Sequence, residues 1–206
     1  SLPTRKLHAI IGPNGAGKTT LFNVISGTLK PTSGHIKFLG HDITNEPVHR
    51  ISRLGLARTL QVKSVFPDLT VQENLWIAAQ SRKGVFKPFT CAKNLHYAND
   101  KAETLCKELG LVSLANQKAA NLSYGDVALL EIGLALATDP KLLLLDEPVC
   151  GMGPAETEQT VAKIQELAKR IDIIIIEHDM EVIFNIADNI IVMAQGRVLA
   201  SGTSDE

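Results

Sequence analysis

The chain has 206 residues, 45% of them hydrophobic and 21% charged, with a formal net charge of −1. That is enough to bury one large core or two small ones, and the near-neutral balance carries no electrostatic footprint for nucleic acid as a partner. Cys91, Cys106 and Cys150 are widely spaced, odd in number and without metal-ligand spacing, which fits a reducing compartment better than a disulfide framework. The longest apolar runs are strand-length, too short to span a bilayer, and there is no signal-peptide pattern, so the expected setting is cytosolic or the cytosolic side of a larger assembly.

The first apolar run, Leu7–Ile11, suits a buried strand. Directly after it comes Gly12-Pro13-Asn14-Gly15-Ala16-Gly17-Lys18-Thr19-Thr20, which fills every fixed position of the phosphate-binding pattern G-x-x-x-x-G-K-[ST]. From Thr19 on, Leu21, Val24 and Ile25 recur at helical spacing and Gly27 is a plausible stop. Glycines let successive backbone N–H groups converge on phosphate oxygens, and the new helix aims its positive dipole end at the same anion. In such a strand–loop–helix, Lys18 reaches the β- and γ-phosphates and the Thr19 hydroxyl ligates Mg²⁺. The expectation is a nucleoside-triphosphate site.

Gly34–Leu39, followed by Gly40 and Asp42, reads as a strand and turn in a small antiparallel portion. From about Val62 to Asn121 helical patterns dominate. Thr70-Val71-Gln72-Glu73 is a capping-box sequence ahead of Leu75, Ile77 and Ala78. Lys83–Thr90 reads as a loop, and a helix is expected from near Asn94 to Leu109, ended by Gly110. After Leu122-Ser123-Tyr124-Gly125-Asp126 a further helix carries Val127, Leu130 and Leu134.

Three more apolar runs, Leu142–Leu145, Ile173–Ile176 and Ile190–Met193, look like buried parallel strands. Between them lie a helix opened by Pro154, with Val161, Ile164 and Leu167 on one face, and another with Met180, Ile183 and Ile186. The alternation predicts an α/β fold with a mostly parallel sheet and an inserted helical region. Asp146 and Glu147 then sit at one strand's C-terminal edge and His178 at another's, where open α/β sheets place ligands. A carboxylate there can hold Mg²⁺ or take a proton from water, and a neighbouring γ-phosphate raises its pKa. The other five histidines are expected at the surface.

The order of Gly12–Thr20, Ala57-Arg58-Thr59-Leu60-Gln61, Leu122-Ser123-Tyr124-Gly125, Leu142–Glu147, Cys150–Pro154 and Glu177-His178-Asp179-Met180 resembles the ATP-binding subunit of ABC transporters. Within that family it is most similar to the branched-chain amino-acid uptake class, with Leu69-Thr70-Val71-Gln72-Glu73-Asn74-Leu75 as a further shared phrase; urea- and short-amide-uptake ATPases are similar too. The resemblance implies a P-loop NTPase core at 1–61 and 126–206, an N-terminally trimmed antiparallel β portion, and a helical subdomain at 62–125 ending in the signature motif. It implies ATP and Mg²⁺ as ligands, with Asn14, Gly15, Ala16, Gly17, Lys18, Thr19 and Thr20 on the nucleotide and Thr19, Gln61 and Asp146 on the metal. Glu147, His178 and Gln61 become catalytic. Ser123 and Gly125 meet the γ-phosphate held by a second ATP-binding subunit, in a homodimer or heterodimer. Implied partners are membrane permease subunits and, indirectly, a substrate-binding protein, with the chain peripheral on the inner face of the cell membrane.

Three departures stand out. Asp126 replaces the usual Gln and is expected to cap the helix; Gly153 stands where the family has Asp or Asn; and Ser1–Lys6 holds no adenine-stacking aromatic, so a shortened chain with weaker ATP binding is expected. A P-loop small-molecule kinase, a non-transport ABC ATPase and a nucleotide-binding module with feeble catalysis are the competing readings.

Overall fold

The computed structural model describes residues 6–59, 64–81 and 91–203, with the side chains of 91–95 left aside. Gln61, the start of the expected helical region at Val62, and the Lys83–Thr90 loop lie outside the described residues. The chain divides into two compact units, one of Ser1–Arg58, Lys141–Glu147 and Ile164–Glu206, the other of Thr59–Pro140 and Pro148–Lys163.

The first unit is built on a six-stranded sheet. Its strands are β1 (Leu7–Ile11), β4 (Leu56–Arg58), β5 (Leu142–Asp146), β6 (Asp172–Ile176), β7 (Asn189–Ala194) and β8 (Arg197–Gly202), in the spatial order β4-β5-β6-β1-β7-β8. All neighbours are parallel except β7 and β8. The four continuous apolar runs became β1, β5, β6 and β7 because strands covered on both faces need no polar alternation. Register decides the geometry of the site: Ile10 pairs with Ile176, and Ile176 with Asp146, so β6 ends level with Asp146 and β1 runs one residue beyond. The segments that follow these strands emerge at one edge.

Helix α1 (Lys18–Ile25) leaves the P-loop, and Phe22 from it packs with Ile10, Leu144, Ile174, Ile191 and Met193 in the core. Helix α2 (Val48–Leu54) ends on Gly55 with φ 107°, whose N–H bonds Ile51 and Ser52 carbonyls. The expected antiparallel portion is the two-residue pair β2 (Lys37–Phe38) and β3 (His41–Asp42). Helix α7 (Met180–Ile186) starts on Asp179, whose carboxylate accepts from the N–H groups of Glu181 and Val182. One expectation fails here. His8 is not at the surface but 2% exposed, because it lies on β1, a strand with neighbours on both sides.

The second unit is helical, with α3 (Val71–Gln80), α4 (Cys91–Glu108), α5 (Tyr124–Leu136) and the first part of α6 (Pro154–Ala168). The capping box at Thr70 forms as read. The Thr70 hydroxyl accepts from the Glu73 N–H, and the Glu73 carboxylate accepts from the Thr70 N–H at 2.7 Å. Gly133 sits at the crossing of α5 with α3 and α4; a Cβ there would lie 2.7 Å from Leu75 Cδ2 and 2.8 Å from Leu109 Cδ1. The buried Asn74 amide accepts from the Phe66 N–H and donates to the carbonyls of Phe66, Leu69 and Thr70, fixing the chain that enters α3. Among the described residues, no helix is long and apolar enough to cross a membrane.

Candidate functional site

The loop between β1 and α1 forms a cradle, and its shape depends on glycine at two places. Gly12 has φ 153°, and a Cβ there would come within 2.1 Å of the Met193 carbonyl oxygen on β7, so only hydrogen fits. Gly17, with φ 95°, is the left-handed residue from which α1 starts. The two-residue turn Gln195-Gly196 joining β7 to β8 backs the loop, as the Gly196 N–H donates to the Ala16 carbonyl at 3.0 Å. Lys18 is buried, with Nζ donating to the carbonyls of Gly12 at 2.7 Å and Pro13 at 3.1 Å. Its charge is thus already drawn out of bulk water and held over the loop.

A cavity of about 210 Å³ is lined by Asn14, Gly15, Ala16, Gly17, Lys18, Thr19, Thr20, Glu147 and His178. The cradle comes from residues 14–20 and the two other lining side chains from more than a hundred residues later. Glu147 follows β5 with φ 51°, an uncommon backbone for a side chain with a Cβ, and its N–H donates to the Ile176 carbonyl at 2.9 Å. Its Oε1 lies 2.6 Å from His178 Nε2, the two side chains being 25% and 45% exposed. A carboxylate and an imidazole in contact at the mouth of a phosphate cradle can hold and deprotonate a water.

Asp146, one residue earlier, is buried and paired with Arg58, whose Nη2 donates to Oδ2 at 2.9 Å. The guanidinium also donates to Asn23 Oδ1 at 2.6 Å and stands 5.5 Å from the centroid of the Phe22 ring. The sequence shows Arg58 only as part of the phrase Ala57–Gln61; an arginine closing a three-residue strand gives no sign of a carboxylate 88 positions away. For a metal the donor chemistry is suitable. The Thr19 hydroxyl and the Asp146 carboxylate are hard oxygens, and Mg²⁺ takes one or two of these beside phosphate and water. Among the described residues, no group of three or more His, Cys, Asp or Glu could hold a metal alone.

The second unit carries the Leu122–Gly125 motif at the start of α5. Ser123 is the N-cap, its hydroxyl accepting from the Asp126 N–H at 3.2 Å and donating to Asp126 Oδ2 at 2.9 Å. Asp126 is thereby used in capping, as expected of an acid there. A residue that sequence reasoning missed joins them. Glu156, third in α6, accepts from the Gly125 N–H at 3.3 Å and the Gly153 N–H at 3.2 Å. The Ser123 hydroxyl, followed by the Gly153 and Gly125 amides, holds its carboxyl below the ordinary glutamate value. The only signal available was an acid in the first turn of a helix opened by Pro154.

Strand, glycine cradle, buried lysine and an acid at the end of β5, one strand beyond β6, define a P-loop nucleotide-binding protein. The chain is 39% identical over 213 residues to the high-affinity branched-chain amino acid transport ATP-binding protein LivG of Salmonella typhimurium, covering all of this chain and 84% of that protein. It is 37% identical over 210 residues to BraF of Pseudomonas aeruginosa, another high-affinity branched-chain amino acid transport ATP-binding protein, covering 98% and 82%. A nucleotide-free ATP-binding cassette from an ABC transporter superposes with a TM-score of 0.85 at 34% identity, over 98% of this chain and 82% of that one. The ABC transporter family profile matches residues 1–150, and the chain belongs to that family.

Proposed function

We propose that this chain is the ATP-hydrolysing subunit that powers solute import by an ABC transporter, with branched-chain or other hydrophobic amino acids as the solute class. The cavity that gathers residues 14–20, Glu147 and His178 carries the reading for ATP, and the LivG and BraF relatives carry it for the solute. In this reading the amides of Asn14–Thr20 bind the phosphate oxygens and Lys18 moves from the Gly12 and Pro13 carbonyls to the β- and γ-phosphates. Thr19, Asp146 and Gln61 would hold Mg²⁺, which would supply neutralisation of the charge that develops on the phosphates.

Glu147 accepts a proton from a water whose oxygen attacks the γ-phosphorus, and the bond to the bridging oxygen breaks so that ADP leaves with that oxygen. His178 holds Oε1 of Glu147, leaving the second carboxylate oxygen to face the water. Ser123 and Gly125 of a second ATP-binding subunit complete the charge stabilisation across a head-to-tail dimer. Residues 62–125 act as the helical subdomain that relays nucleotide state to membrane permeases, with the chain peripheral on the inner face of the cell membrane. The test is Glu147→Gln, which preserves shape and removes the base. It is expected to retain ATP binding, lose turnover and accumulate an ATP-bound dimer in size-exclusion light scattering. Hydrolysis at the parent rate refutes the assignment.

A further inference from the structure

The donors assigned to a partner's γ-phosphate already hold an anion. Within the second unit, the Gly125 N–H is donated to Glu156 Oε1, while the Ser123 hydroxyl is donated to Asp126 Oδ2. The approach is tight, for a Cβ on Gly125 would meet Glu156 Cβ at 3.1 Å and Oε1 at 3.5 Å. On its other oxygen Glu156 accepts from Gly153, the residue before α6, which has no side chain with which to cap that helix. The carboxylate therefore joins the start of α5 to the start of α6, and on the α5 side it holds the Gly125 N–H that the dimer reading assigns to phosphate.

We propose that Glu156 is an internal stand-in for the γ-phosphate, occupying the Gly125 N–H in the free subunit, so that a partner's nucleotide must displace it before the dimer closes. The inference rests on the dimer reading above. Two anions cannot share this donor, so the contact opposes closure, and its removal strengthens ATP-driven association without touching the cradle. A purely structural staple has the opposite signature. Losing a strut that orders the signature donors weakens association or leaves it unchanged.

The difference in sign makes the experiment decisive. In the Glu147→Gln background, ATP is titrated into the full chain and dimer formation is read by light scattering, with Glu156 intact and in Glu156→Gln and Glu156→Ala. Glu156→Gln keeps an acceptor oxygen for the Gly125 N–H and preserves the local fold, which thermal unfolding checks. Binding of a fluorescent ATP analogue below dimerising protein concentrations reports on the cradle alone and is expected to be the same in all three. The half-saturating ATP concentration for dimerisation is expected to fall about tenfold in both variants, within the usual range of coupling between sites. An unchanged or raised concentration in both overturns the stand-in role while leaving the dimer reading intact. No ATP-dependent dimer in any of the three, Glu156 intact included, overturns the dimer reading and this inference with it.

Discussion

Replacing Arg58 by Met tests the most buried charge pair near the cradle. The Arg58 side chain is 10% exposed and that of Asp146 0%, so without the guanidinium the carboxylate is poorly solvated. Removing one member of such a pair strands the other in a low-dielectric site and costs about 3–5 kcal/mol. Methionine retains much of the volume against Phe22, so that loss is electrostatic rather than a cavity effect. At 2–4 °C per kcal/mol for a chain of this size, the melting temperature falls by roughly 6–20 °C. Urea unfolding with Arg58→Met, Asp146→Asn and the double variant is the assay. The double variant is expected to recover much of the loss, since a buried pair as a whole contributes little net stability. A loss below about 1 kcal/mol in Arg58→Met, or no recovery in the double variant, refutes the reasoning.

Other perturbations follow from local geometry. Gly133→Ala adds about 1 kcal/mol of helix propensity but drives a methyl into Leu75 and Leu109, so overpacking of about 1–3 kcal/mol leaves a net loss in urea unfolding; a variant as stable as the parent contradicts this. Thr70→Ala removes the α3 cap and is expected to cost about 1 kcal/mol by the same assay. The Thr70 N–H, then its hydroxyl, holds the Glu73 carboxyl below its ordinary value. A lowered folded pKa gives stability that is complete above the unfolded value and lost as pH falls through the folded one. The gap between the parent and Glu73→Gln is therefore expected to be widest near neutral pH and to close in acid; a gap that grows in acid contradicts the cap. In a Cys91→Ser background, the exposed Cys150 is expected to be alkylated quickly. Cys106, whose thiol is pushed up by burial and then by the charge of Glu103, should react only on unfolding. Equal labelling rates contradict that difference.

What the sequence makes legible is whatever one stretch of chain decides by itself. The apolar runs of β1, β5, β6 and β7 announce strands covered on both faces, and the phosphate loop is spelled out within nine residues. β8 is exposed along most of its length, so it lacks an apolar run; only the Gln195-Gly196 pair, with φ of 51° and 73°, hints at a hairpin. β4 is three residues long and ends on a charge, while α2 follows Pro47, an N-cap that makes no side-chain cap bond. Neither carries enough period to be seen. α4 begins at Cys91, three residues before the expected start. The site behaves in the same way. Glu147 and His178 could each be placed at a strand end, but their contact depends on the register of β5 against β6. Arg58 owes its pairing with Asp146, and Glu156 its contact with Gly125, to tertiary placement, and nothing in their flanking residues records those contacts.

The back wall of the cradle has a consequence for synthesis. The loop at residues 12–20 is braced by Met193 and Gly196, almost the full length of the chain away. A nascent polypeptide emerging from the ribosome would carry the motif's letters well before residues 193–196 are available to give it its shape. Nucleotide capture then depends on β7 and the turn after it being in place, and ATP stabilises chains in which that wall has formed.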